Sequence, residues 1–201
     1  MSLFINTSGS SFNLLPRDGT LNYYGKILSK ETADLYFQRL LDTIEWRQDE
    51  VVMFGKKILT QRKVSWYSDF PYEYTYSHTT KKALPWTDTL RILKKIIEKT
   101  TRENYNSCLL NLYHNGKEGM GWHSDAEKDL KAHAAIGVIS LGADRKFSLK
   151  HKHTQEKVNL GLEHGSLLVM KDQTQDYWLH SLPPTKKSFE KRISLTFRTI
   201  I

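Results

Sequence analysis

His123 and Asp125 stand two residues apart, as His123-Ser124-Asp125, and His180 supplies a second imidazole far downstream. Two histidines and one carboxylate form the facial triad that holds non-haem Fe(II) and leaves coordination positions open for oxygen chemistry. Arg192 and Arg198 follow near the end of the chain. A guanidinium presents a planar fork that matches a carboxylate, so the pair suits a carboxylate cosubstrate. Neither spacing is rare: with this composition an H-x-D, or an arginine pair six apart, arises about 0.4 times by chance. Order and context must therefore carry the reading.

The elements that would position these residues are legible in part. Residues two apart on a strand share a face, so His123 and Asp125 can grip one ion if that stretch is extended. Gly119 and Gly121 just before them allow a close backbone approach. Arg192-Ile193-Ser194-Leu195-Thr196-Phe197-Arg198 alternates without exception. Arg192, Ser194, Thr196 and Arg198 face one way, and Ile193, Leu195 and Phe197 the other, which is a strand with an apolar back and a polar front. The two arginines would lie about 20 Å apart on a straight strand, so strand curvature and their long side chains must bring them to one ligand.

Upstream, Ser29 reads as an N-cap with Glu31 in the first turn. Ala33, Phe37, Leu40, Leu41 and Ile44 recur behind it at helical spacing. Pro85 predicts a second helix start, with Trp86, Leu90, Leu93 and Ile97 as its apolar stripe. Between the helices, residues 51–57 and 62–67 read as strands with a turn at Gly55, and Tyr72, Tyr74 and Tyr76 would share one face of a further strand. After the second helix the chain becomes short strands over 108–113, 135–141, 146–150, 157–160, 166–170 and 192–198. Gly161, Gly165 and Pro183-Pro184 mark turns. Two helices followed by many short strands predict an antiparallel sandwich or jelly roll with helical buttresses.

The 201 residues fit one compact domain. No apolar run reaches membrane-span length and residues 1–6 lack the pattern of a signal peptide, so a soluble, intracellular protein is expected. The single Cys108 cannot form an internal disulfide and sits in an apolar run, which reads as core. The formal net charge of +8 favours a polyanionic partner such as nucleic acid. His114, His133, His151, His153 and His164 fall outside the ligand pattern and read as structural or surface residues. Residues 1–20, rich in Ser, Asn, Gly and Thr, are expected to be loosely ordered.

With these residues in view, the chain resembles the AlkB-type Fe(II)/2-oxoglutarate-dependent nucleic-acid dealkylases, and most closely the subgroup of AlkB homologues 2 and 3. The resemblance runs from about Val51 to Ile201. It rests on Asn111-Leu112-Tyr113, His123-Ser124-Asp125-Ala126-Glu127, His164-Gly165-Ser166-Leu167-Leu168, His180-Ser181-Leu182-Pro183 and Arg192–Arg198, in that order. It implies a mainly β (α+β) fold with a double-stranded β-helix (jelly roll) core buttressed by helices. A flexible segment over 1–20 would precede a single dioxygenase domain over 21–201, with a nucleotide-recognition lid at about 50–82.

By the same resemblance, His123, Asp125 and His180 would ligate iron. Arg192 would pair with the distal carboxylate of 2-oxoglutarate, Arg198 would help hold the carboxylate end at the metal, and Asn111, Tyr113 and Thr196 would line that pocket. On the substrate side, Glu127 would read the base's exocyclic group. Tyr74, Tyr76 and Ser77 match a stretch that stacks on a flipped base, and Met53, Phe54 and Gly55, with Arg62 nearby, match a hairpin that probes the duplex. Ala126 departs from the pattern, standing where relatives often carry a second acid.

The implied reaction is oxidative demethylation of 1-methyladenine and 3-methylcytosine in DNA, with Fe(II), O2 and 2-oxoglutarate, releasing formaldehyde, succinate and CO2. A monomer is expected, in the cytoplasm of a bacterium or the nucleus of a eukaryote. The alternatives at this point are an RNA demethylase or protein hydroxylase with the same iron chemistry, and a nucleic-acid-binding jelly roll without catalysis.

Overall fold

A computed structural model describes residues 12–53, 56–76 and 79–201. In chain order the described elements are β1 (Thr20–Lys26), α1 (Lys30–Thr43), β2 (Arg47–Met53), β3 (Lys56–Ser68), β4 (Glu73–Tyr76), β5 (Thr79–Lys82), β6 (Leu84–Pro85), α2 (Asp88–Thr101), β7 (Ser107–Tyr113), β8 (Met120–His123), β9 (Ile136–Gly142), β10 (Arg145–His151), β11 (Lys157–Leu162), β12 (Ser166–Lys171), α3 (Thr174–Tyr177), β13 (Trp178–Leu182) and β14 (Arg192–Arg198). A large sheet runs β1-β12-β9-β14-β7-β3-β2, with β6 pairing β3 in parallel, and a smaller sheet runs β11-β10-β13-β8. The strands β4 and β5 form a two-stranded sheet of their own. The expected jelly roll is therefore present, with long-range antiparallel pairing in both main sheets.

The two helices cover one face of the large sheet. Ser29 caps α1, its Oγ accepting from the Thr32 amide at 3.2 Å, as expected. The cap of α2 is Thr87, whose Oγ1 accepts from the Leu90 amide, so the helix follows Pro85 as expected. Pro85 itself ends the short strand β6, where its missing N–H costs no ladder bond on an edge. Ala33 and Leu40 of α1 and Leu90, Leu93 and Ile97 of α2 pack with Leu110, Ile139, Ile193, Leu195 and Phe197 of the sheet in one apolar core. A second core, including Tyr113, Val138, Phe147, Leu149, Leu168 and Trp178, fills the space between the sheets. The alternation of β14 thus divides as expected: its apolar face meets the helices, and its polar face looks into the sandwich.

Several details depart from the sequence expectations. Of the segment expected to be loosely ordered, residues 12–20 are tied down. Asn13 Oδ1 accepts from the amides of Leu15 and Leu21, Leu15 is buried, and the Arg17 carbonyl accepts from Trp178 Nε1 at 3.1 Å. The physical reason is that β1 joins the large sheet beside β12 and carries its lead-in chain over the second core. Gly161 is not a turn but lies within β11 opposite Lys146, whereas Gly165 does turn the chain, with φ of 77°. Tyr72 precedes β4 and packs edge-on against Phe70, so only Tyr74 and Tyr76 share the strand. Phe54, Gly55 and Ser77 lie outside the described residues.

The histidines outside the ligand pattern include three that serve as joints. His164 accepts from the Gly142 amide through Nδ1 and reaches Asp34 on α1 through Nε2, at 2.8 and 3.0 Å, which ties that helix to the sandwich. His151 is buried against Asp18, and His133 meets Asp176. Among the described residues no helix is long and apolar enough to cross a membrane.

Phe197 is fully buried, stacked on Trp86 and tilted against Tyr105. Phe197→Ala is expected to destabilise the fold by about 3–5 kcal/mol. Urea unfolding should show a lower midpoint with an unchanged slope; an unmoved midpoint would remove this side chain from the supporting core.

Candidate active site

The smaller sheet brings the two histidines together. His123 ends β8 and lies opposite His180 on β13 in the antiparallel register, with a bulge in the pairing just before Leu182. Their ring centroids are 4.2 Å apart. Asp125 follows two residues later, past the strand end, and its Oδ1 lies 3.7 Å from His123 Nε2 and 3.8 Å from His180 Nε2. Each of the three residues offers one ligand atom, and all three atoms lie within 4.8 Å of one another. The expected ligand set is therefore assembled by strand pairing between segments far apart in the chain.

The surroundings prepare these groups to bind a cation. His123 Nδ1 is 2.8 Å from the Gly121 carbonyl, so that nitrogen carries the proton and donates. Nε2 is left as the lone-pair donor, the arrangement that fixes tautomer and ring angle in metal-binding histidines. Burial lowers the His180 pKa to about 4, against the opposing pull of Asp125, so the imidazole is neutral at ordinary pH. Phe147 packs near this ring at 5.5 Å between centroids. Burial alone would raise the Asp125 carboxyl, but Arg198, helped by His180 and His123, holds it below the usual carboxylate range. Arg198 Nη2 donates to Asp125 Oδ2 at 2.9 Å, which leaves Oδ1 turned toward the histidines. Two imidazoles and a carboxylate with one free oxygen fit Fe(II) by donor type.

A cavity of about 70 Å³ opens beside the three ligands, and Asn111, Tyr113, Arg192, Thr196 and Arg198 all line it. By a measure in which one water needs about 10–15 Å³, this holds a small molecule rather than a single solvent. Arg192 lies at its floor, 2% exposed, donating to Ser140 Oγ at 2.9 Å and lying 5.5 Å from the Tyr113 ring centre. Burial pulls its pKa down to about 10. Among the described residues no carboxylate pairs with it, and its Nε has no hydrogen-bond partner; the buried Asn111 Oδ1 also lacks one. An arginine so deeply buried is strongly disfavoured unless an anion pairs with it. The cavity therefore fits a ligand that carries a carboxylate to Arg192 and its other end to the metal ligands, as a dicarboxylate cosubstrate would.

Glu127 stands at the outer side of the same cluster, where Arg198 Nη1 reaches its Oε1 at 3.3 Å. Arg62 is buried and donates to Met120 Sδ at 3.1 Å, so it reaches the cavity wall rather than an open basic surface. The backbones of Met53, Tyr74 and Tyr76 lie in β2 and β4.

Three supporting residues were not singled out in the sequence. Ser140 was legible as the lone hydroxyl in the otherwise apolar run of β9. Arg145 carried no such signal; it is buried under the cavity and donates to the carbonyls of Glu118 and Pro183. Gln175 carried none either. Its Oε1 accepts from the Asp125 amide at 2.8 Å, and its own carbonyl accepts from Lys152 Nζ at 2.9 Å.

Gln175 thus fixes the backbone that aims Asp125. Gln175→Leu is expected to weaken divalent-metal binding by about 10- to 100-fold, the range seen when outer partners of metal ligands are lost. Calorimetric titration with Mn(II) reads this directly, and unchanged affinity would show that the loop holds itself.

Comparison with known proteins agrees with this geometry. Residues 20–198 match the 2OG-Fe(II) oxygenase superfamily. The chain is 37% identical over 178 residues to alpha-ketoglutarate-dependent dioxygenase alkB homolog 3 of Bos taurus, covering 84% of this chain and 62% of that protein. It is 37% identical to the Homo sapiens protein of the same name, covering 89% and 65%. With DNA oxidative demethylase ALKBH2 of Homo sapiens it shares 33% identity over 207 residues, covering 98% of this chain and 79% of that one. The chain thus spans a little under two thirds of the length of the first two relatives. The solved structure of OsALKBH1 superposes with a TM-score of 0.65 at 15% identity, over 92% of this chain and 99% of that one, which supports the fold. The chain belongs to the 2OG-Fe(II) oxygenase superfamily, among its AlkB homologues.

Proposed function

We propose that this protein is an oxidative demethylase that removes the methyl group from 1-methyladenine and 3-methylcytosine in DNA. The observation that carries the reading is the buried, uncompensated Arg192 in the same small cavity as the His123, Asp125 and His180 ligand atoms. That pairing calls for a metal and a carboxylate cosubstrate together. The DNA substrate is supported by the relatives, among them the DNA oxidative demethylase ALKBH2, and by the net charge of +8.

When bound, Fe(II) and 2-oxoglutarate supply the oxidising power of O2 that hydroxylates an N-methyl group, which is then released as formaldehyde. The chain's own residues provide position and environment. Arg192 takes the distal carboxylate, with Ser140 and the Tyr113 face holding its guanidinium in place. Asn111 and Thr196 line the path between that carboxylate and the metal ligands. Arg198 orients Asp125 and steadies the end of the cosubstrate nearest the metal. Phe147, Leu162 and Met170 contribute apolar wall that limits water around the reacting groups.

On the substrate side, an alkylated base within a duplex presents no reachable methyl group, so it must be flipped out. Glu127, which shares Arg198 with Asp125, accepts from the base's exocyclic amine in this reading. Tyr74 and Tyr76 are proposed to stack on the flipped base, with Ser77 beside them, and Met53, Phe54 and Gly55 to fill the gap left in the duplex. Arg62 is assigned a bracing part next to Met120. A monomer acting in a nucleic-acid-containing compartment of the cell completes the proposal.

Demethylation of matched single- and double-stranded oligonucleotides carrying either lesion tests this, read as formaldehyde released and unmodified base recovered. Turnover should require Fe(II) and 2-oxoglutarate, and His123→Ala should abolish it together with metal binding. Arg192→Ala is expected to raise the 2-oxoglutarate concentration for half-maximal rate by at least about 30-fold, from the loss of a buried charge pair. Full 2-oxoglutarate-dependent turnover by His123→Ala would overturn the metal assignment.

A further inference from the structure

The outer face of the smaller sheet carries a charge pattern that the reaction does not use. Side chains alternate along each strand, so Phe147 and Leu149 of β10 point into the second core, while Lys146 is exposed and Lys150 half-exposed on the other face, with Ser148 buried between them against Asn159. In the antiparallel register Lys150 stands directly opposite Lys157 of β11, and Lys146 opposite Gly161. On the far edge Trp122 precedes the ligand His123, and it is 42% exposed. The Lys150 ammonium lies 5.0 Å from its ring centre.

Like charges facing each other across a strand pair are destabilising, and among the described residues the indole, not a carboxylate, is what offsets this pair. Among the described residues neither Lys146, Lys150 nor Lys157 has an acidic partner. The neighbouring Glu156 pairs with Arg17, and Glu163 with Lys26. An indole held beside the Lys150 cation, on a sheet that also carries Lys146 and Lys157, combines a stacking surface with sites for phosphate. Glycines leave room at the ends of the face: a side chain at Gly121 or Gly161 would meet no atom within 4 Å.

We propose that this face, with Trp122 as its stacking platform and Lys146 and Lys157 as its phosphate contacts, binds the single-stranded stretch of nucleic acid that flanks the target nucleotide. Charge complementarity selects a polyanion. The exposed indole selects one with open bases, because a base within a duplex is already stacked on its neighbours. Continuity with the active site supports the same occupant: Trp122 adjoins His123 in sequence, and the two leave the strand on opposite faces at its edge. A strand whose target base enters the sandwich can therefore run past that edge onto the outer face. The inference rests on the nucleic-acid reading above and adds a second contact region to it.

The test compares wild type, Trp122→Ala, Trp122→Phe and Lys157→Gln, loaded with Mn(II) to prevent turnover. Binding is read by fluorescence anisotropy of labelled oligonucleotides containing 1-methyladenine. For the single strand, Trp122→Ala should weaken binding by about 5- to 100-fold, the range for losing one base–aromatic stack, and Trp122→Phe should restore most of it. Duplex binding should change by less than about threefold, since a paired base gains little from the platform. Lys157→Gln should lower the salt dependence of single-strand binding by about 0.7 in log–log slope, as one fewer phosphate contact predicts.

As a control on the catalytic centre, Trp122→Ala with Fe(II) should demethylate a methylated mononucleotide as wild type does. If wild type binds the single strand but none of the variants changes affinity or slope, the platform is overturned and the demethylase reading stands. If the variants behave as expected while wild type releases no formaldehyde from any oligonucleotide, the platform stands and the demethylase reading falls. If wild type binds no nucleic acid, both are overturned.

Discussion

The structure hangs on the alternation of β14. This strand is flanked on both sides, by β7 and β9, and its two faces serve opposite ends. Ile193, Leu195 and Phe197 fasten the helices to the large sheet, while Arg192, Ser194, Thr196 and Arg198 face the space between the sheets. A slip of one residue would send the arginines into the helical core and the apolar residues into the cavity. Pairing on both edges and burial on both faces make that slip prohibitively unfavourable. The same packing that stabilises the fold therefore sets the position of the charged groups in the site.

Burying Arg192 without a carboxylate is the chief electrostatic cost of this design. Water is largely excluded, Ser140 supplies one hydrogen bond and the Tyr113 face supplies a weaker attraction. Arg145 lies on the same tyrosine at 5.9 Å, and its terminal Nη2 donates to two backbone carbonyls rather than to an acid. The cavity floor is thus positive and rigid before any ligand arrives. A carboxylate entering there meets a preformed fork and loses little to reorganisation, which is the advantage of preorganised charge over charge that must move into place. The candidate ligands His123 and His180 come from the other sheet, so a small molecule that bridges both would be held by two separately braced walls.

Much of this was legible in the sequence, and the parts that were not share a cause. The helix at Ser29 and the strand at Arg192–Arg198 were readable because local chemistry and periodicity agree over many residues. The three ligands were readable by residue type, and their meeting was not, because it depends on β8 pairing with β13 across a long stretch of chain. Only four residues long, half-exposed and containing a glycine, β8 carries too little alternation to announce itself. The order of residues 12–20 was hidden for a similar reason: Arg17 and Asp18 look like loop residues, and their partners Trp178 and His151 are contributed from far along the chain. Gly161 misled by composition, since a glycine is tolerated inside an exposed strand. Gln175 gave no signal at all, because its role is a single bond to a backbone amide.

Arg198 joins the two halves of the site. One guanidinium donates to Asp125, a candidate metal ligand, and to Glu127, which lies toward solvent. The first contact is nearly buried and the second half-open, so they differ in strength: the inner pair is little screened, while the outer one competes with water and salt. An arginine suits this position better than a lysine: a point charge could neutralise Asp125, but a planar fork reaches both acids from one orientation.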